Sequence, residues 1–273
     1  VFYNWQAMAL EEYARKRKFE NTPEPPARVE KKSRNRFVVQ KHNATRLHYD
    51  FRLEMEGVLK SWAVPKGPSL DPADKRLAMQ VEDHPVSYFD FEGIIPENNY
   101  GAGTVMVWDV GTWQPLSPVP VNGTYVPGTE AEAVEMLAKG DLKFRLAGKR
   151  LKGDFALVKM RGRRPGSKGT EWLMIKKHDD QAVDGYDIDA YDSSVLSKRS
   201  LAEIAGDRGS NEWQSRPAGG RGRLKAAWLA DAIAKLDQKK AAASGAKKKP
   251  ITPSTRKKRS PRKRSPRKTT TQQ

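Results

Sequence analysis

The sequence predicts a mainly β protein, an antiparallel β-barrel with a few peripheral helices and a disordered basic C-terminal tail. Three observations carry that expectation. From Phe37 onward, short runs rich in β-branched and aromatic residues recur, most of them separated by Gly- and Pro-containing turns. Helix-start signals are few and isolated. Residues 239–273 hold fourteen Lys and Arg and no acid, with nothing apolar enough to build a core.

The elements follow in order. Ala9 to Phe19 reads as a highly charged helix, ended by Pro23, Pro25 and Pro26. The expected arm is 1–34 and the expected barrel 35–205. Within the barrel, "RLHYDFRLEM", "RLAMQVEDH", "GTVMVWDVGTW", "LKFRLAG", "DFALVKM" and "EWLMIKK" read as strands. Trp62, Trp108, Trp113 and Trp172 fall in strand-like stretches and are expected in the core. "GAG" at Gly101 to Gly103 is a turn into a strand, and with no helix after it, it is not a phosphate loop. Thr129 with Glu132 forms a capping-box pattern, and the helix it opens closes at Gly140. Ser200 with Glu203 opens another that stops at Gly206. Residues 206–222 read as a linker, and 223–238 as an amphipathic helix with Leu224, Trp228, Ala232 and Leu236 on one stripe.

Charge is concentrated. Of 51 Lys and Arg, 37 remain against 33 Asp and Glu once the tail is removed, a body of about +4. A basic block of this kind suits a polyanion partner. Deleting residues 239–273 is expected mainly to weaken DNA binding as salt rises, read from the slope of log K against log salt. The absence of cysteine excludes disulfides, thiolate nucleophiles and Cys-ligated zinc. No apolar run approaches the ~18 residues of a spanning helix, and the first twenty residues lack a secretion-signal pattern. The expectation is a soluble, cytoplasmic protein whose natural start is Met8.

The chemistry concentrates in "KHNATRLHYDFRLEMEG", Lys41 to Gly57, which holds two of the four histidines. On a strand, His48, Asp50 and Arg52 share one face, and Leu47, Tyr49, Phe51 and Leu53 the other. His42 can join the first face through the turn "NATR". Two imidazoles and a carboxylate suit a divalent transition metal such as Mn²⁺ or Zn²⁺. Arg52 cannot ligate a cation and would meet a phosphate oxygen instead. In "RLAMQVEDHP" the same reading puts Arg76, Gln80, Glu82 and His84 on one parity, and Leu77, Met79 and Val81 on the core parity. Two polar fronts with apolar backs point to metal-assisted phosphoester chemistry. His178 receives no role. The residues alone do not choose between DNA and RNA, or between diester and monoester.

Together, "RFVVQKHNATRLHYDFRLEMEGVLKSWAVPKGPS", "DKRLAMQVEDHPVSYFDFEGIIP" and "YGAGTVMVWDVGTW" closely resemble the 3′-phosphoesterase family. "LKGDFALVKM", "EWLMIKK" and "SVLSKRSLAEIA" extend the likeness, which covers about residues 10–205. That family occurs as a module of bacterial ATP-dependent DNA ligase D and as free-standing proteins. The resemblance implies a β-barrel with its site on a concave face and a divalent metal, typically manganese. It also implies removal of a 3′-terminal ribonucleoside followed by removal of the 3′-phosphate. His42, His48 and Asp50 would be the metal ligands, and Arg52 and His84 would grip the scissile phosphate. His84 would in addition be a general acid toward the leaving oxygen. Tyr88, Lys66 and Arg76 match further phosphate-site positions, and Glu82 a supporting acid. In the arm, Arg17 and Glu24 match, whereas Lys18 stands where the family usually has an acid, a departure that bears on the phosphomonoesterase step. Residues 1–273 hold no KxDG ligase motif, so sealing would come from another protein or from sequence outside this span, with a separate ligase and the end-binding protein Ku the implied partners on DNA primer–template ends.

Two other classes stand beside this reading. A nonenzymatic DNA-binding protein would act through the Ser-Pro-Arg-Lys tail, with the barrel as scaffold. A ribonuclease cutting internal bonds would share the chemistry but not the preference for ends.

Overall fold

The computed structural model describes residues 9–31, 33–160 and 169–206. Within them the expected mainly β architecture is found, as a closed barrel. β1 (Arg36–Asn43), β2 (Leu47–Met55), β3 (Val58–Val64) and β4 (Lys75–Gln80) pair in turn. β4 pairs with β10 (Glu171–Lys176), which continues through β9 (Lys152–Lys159) and β8 (Asp141–Gly148) to β7 (Gly103–Pro115). β7 pairs back onto β1, so all eight ladders are antiparallel and this circuit has no free edge. Two short strands hang on it: β5 (His84–Pro85) on β3, and β6 (Gly93–Ile95) on β7.

Directly paired residues share a face, and two distinct cores follow from that alternation. Phe37, Phe51, Trp62, Trp108, Phe144, Phe155 and Trp172 fill the barrel interior. The expected core placement of Trp62, Trp108, Trp113 and Trp172 is what the structure shows. On the outer face of β1 and β7, Val38, Val105 and Val107 pack under Tyr13, Tyr88, Phe91 and Ile95. Both sides of β1 are therefore buried. Phe144 stacks on Phe51 and Phe155 at centroid separations of 5.7 and 6.0 Å. Phe144→Ala is expected to cost about 3–5 kcal/mol, measured by urea unfolding.

Local signals account for the joints. Glu56 and Gly57 both take positive φ (53° and 75°), closing the β2–β3 hairpin with a two-residue turn, and a Cβ on Gly57 would collide with the Glu30 carbonyl. The capping box at Thr129 and Glu132 opens α2 (Glu130–Lys139), and Gly140 ends it at φ 82°. Ser200 and Glu203 bond reciprocally at the start of α3 (Leu201–Gly206).

Three readings change. The N-terminal helix is only α1 (Glu11–Arg15), because the chain turns at Lys16 to carry Arg17 and Glu24 inward. β4 has the opposite parity to that expected, with Ala78 fully buried and Leu77 42% exposed. Trp62 pairs with Gln80, and Gln80 accepts from the Trp172 indole at 3.1 Å, so Arg76, Ala78 and Gln80 face the interior side. The expected single strand through His84 is also two, since β4 stops at Gln80 and His84 pairs separately with Leu59 of β3. The linker beyond Gly206, the 223–238 helix and the basic tail lie outside the described residues.

Candidate metal centre and phosphate cleft

Outside the barrel, the polar face of β1 and β2 meets the α1 arm and the 81–101 segment in a cleft of about 310 Å³. Arg17, Glu24, His42, His48, Asp50, Arg52, Glu82, His84, Tyr88 and Tyr100 contribute to its walls. His42 and His48 are direct cross-strand partners, set opposite each other by the turn that joins β1 to β2, as the sequence suggests. Their ring centroids lie 4.8 Å apart. Asp50 shares that face, with its two oxygens 3.5 Å from His42 Nδ1 and 3.7 Å from His48 Nε2.

Donor atoms of these three residues all lie within 4.8 Å of one another, and among the described residues no other such cluster of three occurs. The set fits a divalent cation on three further grounds. His48 Nδ1 lies 2.9 Å from the Arg46 carbonyl, which requires N–H there and leaves Nε2 with a free lone pair. His42 Nε2 is buried with no partner. Burial alone would raise the Asp50 carboxyl, but Arg52 foremost, then His42 and His48, hold it well below the usual carboxylate range and keep it anionic.

Arg52 is held from two sides. Its Nε donates to Gln40 Oε1 at 2.9 Å and its Nη2 to Asp50 Oδ2 at 3.1 Å. Gln40 in turn donates to the Tyr88 and Phe91 carbonyls, so β1 and the 88–91 turn fix the guanidinium plane. Arg52 Nη1 is buried and has no partner, a donor left for a group not yet in the cleft.

The arm supplies the opposite wall. Arg17 donates to Glu24 at 2.8 Å and to Glu82 at 3.1 Å, and its Nη2 lies 3.2 Å from His84 Nε2. Tyr88 donates to Glu24 at 3.1 Å and Lys16 to Glu82 at 3.0 Å. Burial, then the charge of Glu24, pushes the Tyr88 phenol well above its ordinary range, so it stays a donor.

His84 is neutral. Burial foremost, then Arg52 and Arg17, push its imidazole well below the ordinary range. Its Nδ1 lies 2.9 Å from the Glu82 carbonyl and must carry the hydrogen, so Nε2 accepts from Arg17. A buried neutral histidine binds fewer protons folded than unfolded, so this stabilisation is full above about pH 6.5 and is lost as pH falls. Between pH 6.5 and the folded pKa the loss approaches about 1.4 kcal/mol per pH unit. His84→Gln is expected to flatten that acid-side slope in urea unfolding measured at successive pH values.

Of the residues singled out from sequence, Lys66 and Arg76 do not line this cleft. Lys66 is exposed beyond β3, and Arg76 donates to Asp74 at 2.6 Å on the side of β4 opposite to Asp50. Lys18 is exposed, and Lys16 rather than Lys18 reaches Glu82. Sequence reasoning missed Gln40, Lys16 and Tyr100. Gln40 would have emerged from the β1–β2 register, where it pairs with Asp50.

A closed antiparallel barrel with imidazoles, a carboxylate and guanidinium groups gathered on an outer cleft defines a phosphoesterase-like class of protein. The family model described as the DNA Ligase D 3'-phosphoesterase domain matches residues 40–159, which hold β1 from Gln40 through β9. The barrel belongs to that 3′-phosphoesterase family. The chain is 45% identical over 238 residues to the multifunctional non-homologous end joining protein LigD of Pseudomonas aeruginosa, covering 83% of this chain and 26% of that protein. It is 39% identical over 182 residues to the LigD DNA repair protein of Mycobacterium tuberculosis, covering 65% and 21%. For the LigD protein of Mycolicibacterium smegmatis the figures are 37% over 172 residues, 62% and 21%. The chain thus spans about a quarter or less of the length of these relatives.

Proposed function

We propose that this protein heals DNA 3′ ends in non-homologous end joining. It removes a terminal ribonucleoside by phosphodiester hydrolysis, then the remaining 3′-phosphate, leaving a 3′-OH for ligation, with a DNA ligase activity and Ku as partners at the break. The place of action is the cytoplasm, at the nucleoid. Among the described residues no helix is long and apolar enough to cross a membrane. The observation that carries the reading is one cleft holding both a three-residue donor cluster and a buried, unspent Arg52 N–H.

Charge explains why a cation belongs there. Leaving the imidazoles aside, Arg17 and Arg52 line the cleft against Glu24, Asp50 and Glu82, and Lys16 on Glu82 makes three cations against three carboxylates. An anionic phosphate would meet a site with no net positive charge. His42, His48 and Asp50 would hold a divalent ion, manganese in this reading, which would supply that positive charge and polarise a phosphoryl oxygen. Arg52 Nη1 then donates to a non-bridging oxygen as charge builds on it. Arg17 gives the second guanidinium contact, and Glu24 and Glu82 hold it in place. Tyr88 positions Glu24. A general-acid role for His84 needs a proton on Nε2, which the substrate-free site keeps as an acceptor. In this reading His84 first orients Arg17; Arg17 Nη2 then turns to the phosphate while its Nε and Nη1 stay on Glu24 and Glu82, and His84 Nε2 takes a proton from solvent. Any contribution from Lys66 or Arg76 would be to DNA outside the cleft.

The test is a 5′-labelled primer–template ending in one ribonucleotide, incubated with Mn²⁺. Conversion to a 3′-phosphate and then to a 3′-OH is expected. A halt at the 3′-phosphate would remove the second activity and implicate Lys18. Equal cutting at an internal ribonucleotide would contradict end healing and favour a nuclease.

A further inference from the structure

We propose that Tyr100 is a stacking platform for the 3′-terminal base, the departing nucleoside of the diester step; this rests on the 3′-end reading above. The cleft is otherwise lined by charged groups, imidazoles and small or buried side chains. Tyr100 is the large exposed apolar residue among those lining it, 47% exposed. Its position is built. Asn98 and Gly101 take φ 71° and 76°, and the Ala102 amide donates to the Asn99 carbonyl, which folds 96–102 into a tight turn. The Asn99 side chain donates to the Asn21 carbonyl of the arm and to the Pro96 carbonyl, both at 3.2 Å. Lys16 Nζ donates to the Tyr100 hydroxyl at 3.3 Å and lies 4.7 Å from the ring centroid. The Arg17 guanidinium lies 5.6 Å from the same centroid. Tyr100 is next to Gly101, where an added Cβ would come within 3.8 Å of His42 Cε1, so the ring is carried on the rim of the metal-ligand set.

An anchored yet half-exposed aromatic at the mouth of a phosphate cleft suits a nucleobase. In a primer–template every internal base is covered on both faces by its neighbours. Only terminal bases have an open face, and of these the primer's 3′-terminal base is the one joined to the scissile phosphate, so one rim aromatic selects that end without reading sequence. That geometry disfavours internal ribonucleotides even though their phosphates are chemically equivalent.

Two measurements on the full chain test this. In steady-state kinetics with Mn²⁺, primers ending in a ribonucleoside and in an abasic ribose are compared. Wild type is expected to show a KM about 5- to 150-fold lower for the ribonucleoside, the range that one base–aromatic stack supplies. Tyr100→Leu is expected to abolish that ratio, and Tyr100→Phe, which keeps the ring, to retain it. In EDTA, where no bond is cut, a terminal 2-aminopurine ribonucleoside should lose fluorescence on binding wild type or Tyr100→Phe and keep it with Tyr100→Leu. An unchanged ratio and unchanged quenching in Tyr100→Leu would overturn the platform. So would Tyr100→Phe behaving as Tyr100→Leu, which would reduce the residue to its bond with Lys16. Absence of nucleoside release by wild type, with quenching still dependent on the ring, would overturn the 3′-end-healing reading and leave the platform standing.

Discussion

Asp50→Asn is expected to lower both hydrolytic steps by about 10³-fold or more while leaving the barrel folded. Asparagine keeps the shape of the side chain and removes the charge that faces both imidazoles, with oxygens 3.5 and 3.7 Å from His42 and His48. Loss of that anion removes the only carboxylate of the donor cluster, and with it several kcal/mol of charge stabilisation in the reaction. Asp50 also answers Arg52 at 3.1 Å, but Arg52 keeps its bond to Gln40, so the guanidinium is loosened and not released. Initial rates at saturating DNA and Mn²⁺, alongside circular dichroism, check the prediction. Activity within tenfold of wild type would remove Asp50 from the reacting centre.

Arg52→Lys is expected to reduce kcat by about 10²- to 10³-fold with metal binding retained, the usual cost of removing one donor aimed at developing charge. An ammonium can answer Asp50 but cannot also hold Gln40 and present a third N–H in a fixed plane. The buried Nη1, unspent in the present site, is the atom lost. The contrast with Asp50→Asn is the informative part. One substitution should abolish metal binding and activity together, and the other activity alone. A lysine variant with wild-type kcat would mean that Arg52 supports Asp50 only.

Legibility in the sequence depends on whether polar residues mark one face of a strand, even where both faces are buried. β2 is buried on both faces from Tyr49 to Met55, yet its polar and apolar residues alternate, so the period of two by itself places His48, Asp50 and Arg52 on one face, opposite Tyr49, Phe51 and Leu53. β1 and β3 are buried on both sides, and their runs "RFVVQKHN" and "VLKSWAV" have no clean period of two to read. The place of His42 is read instead from the turn in "NATR", which does bring it onto the face of Asp50, as the cross-strand partner of His48. β4 misleads in the opposite way. Its larger apolar residue Leu77 faces out and little Ala78 faces in, so size points to the wrong parity and carries Arg76 with it. The arm is legible by family resemblance and not by pattern. Arg17 reaches Glu82 across 65 residues and Tyr88 reaches Glu24 across 64, contacts that no local periodicity encodes.

The central claim is that His42, His48 and Asp50 form one divalent-cation site. Its most direct measurement is titration of metal-stripped protein with Mn²⁺, followed by the loss of the free-ion electron paramagnetic resonance signal. The account predicts one tight site per chain in wild type and in Arg52→Lys, and its loss in His48→Ala and Asp50→Asn. Undiminished tight binding in the His48 and Asp50 variants would contradict it.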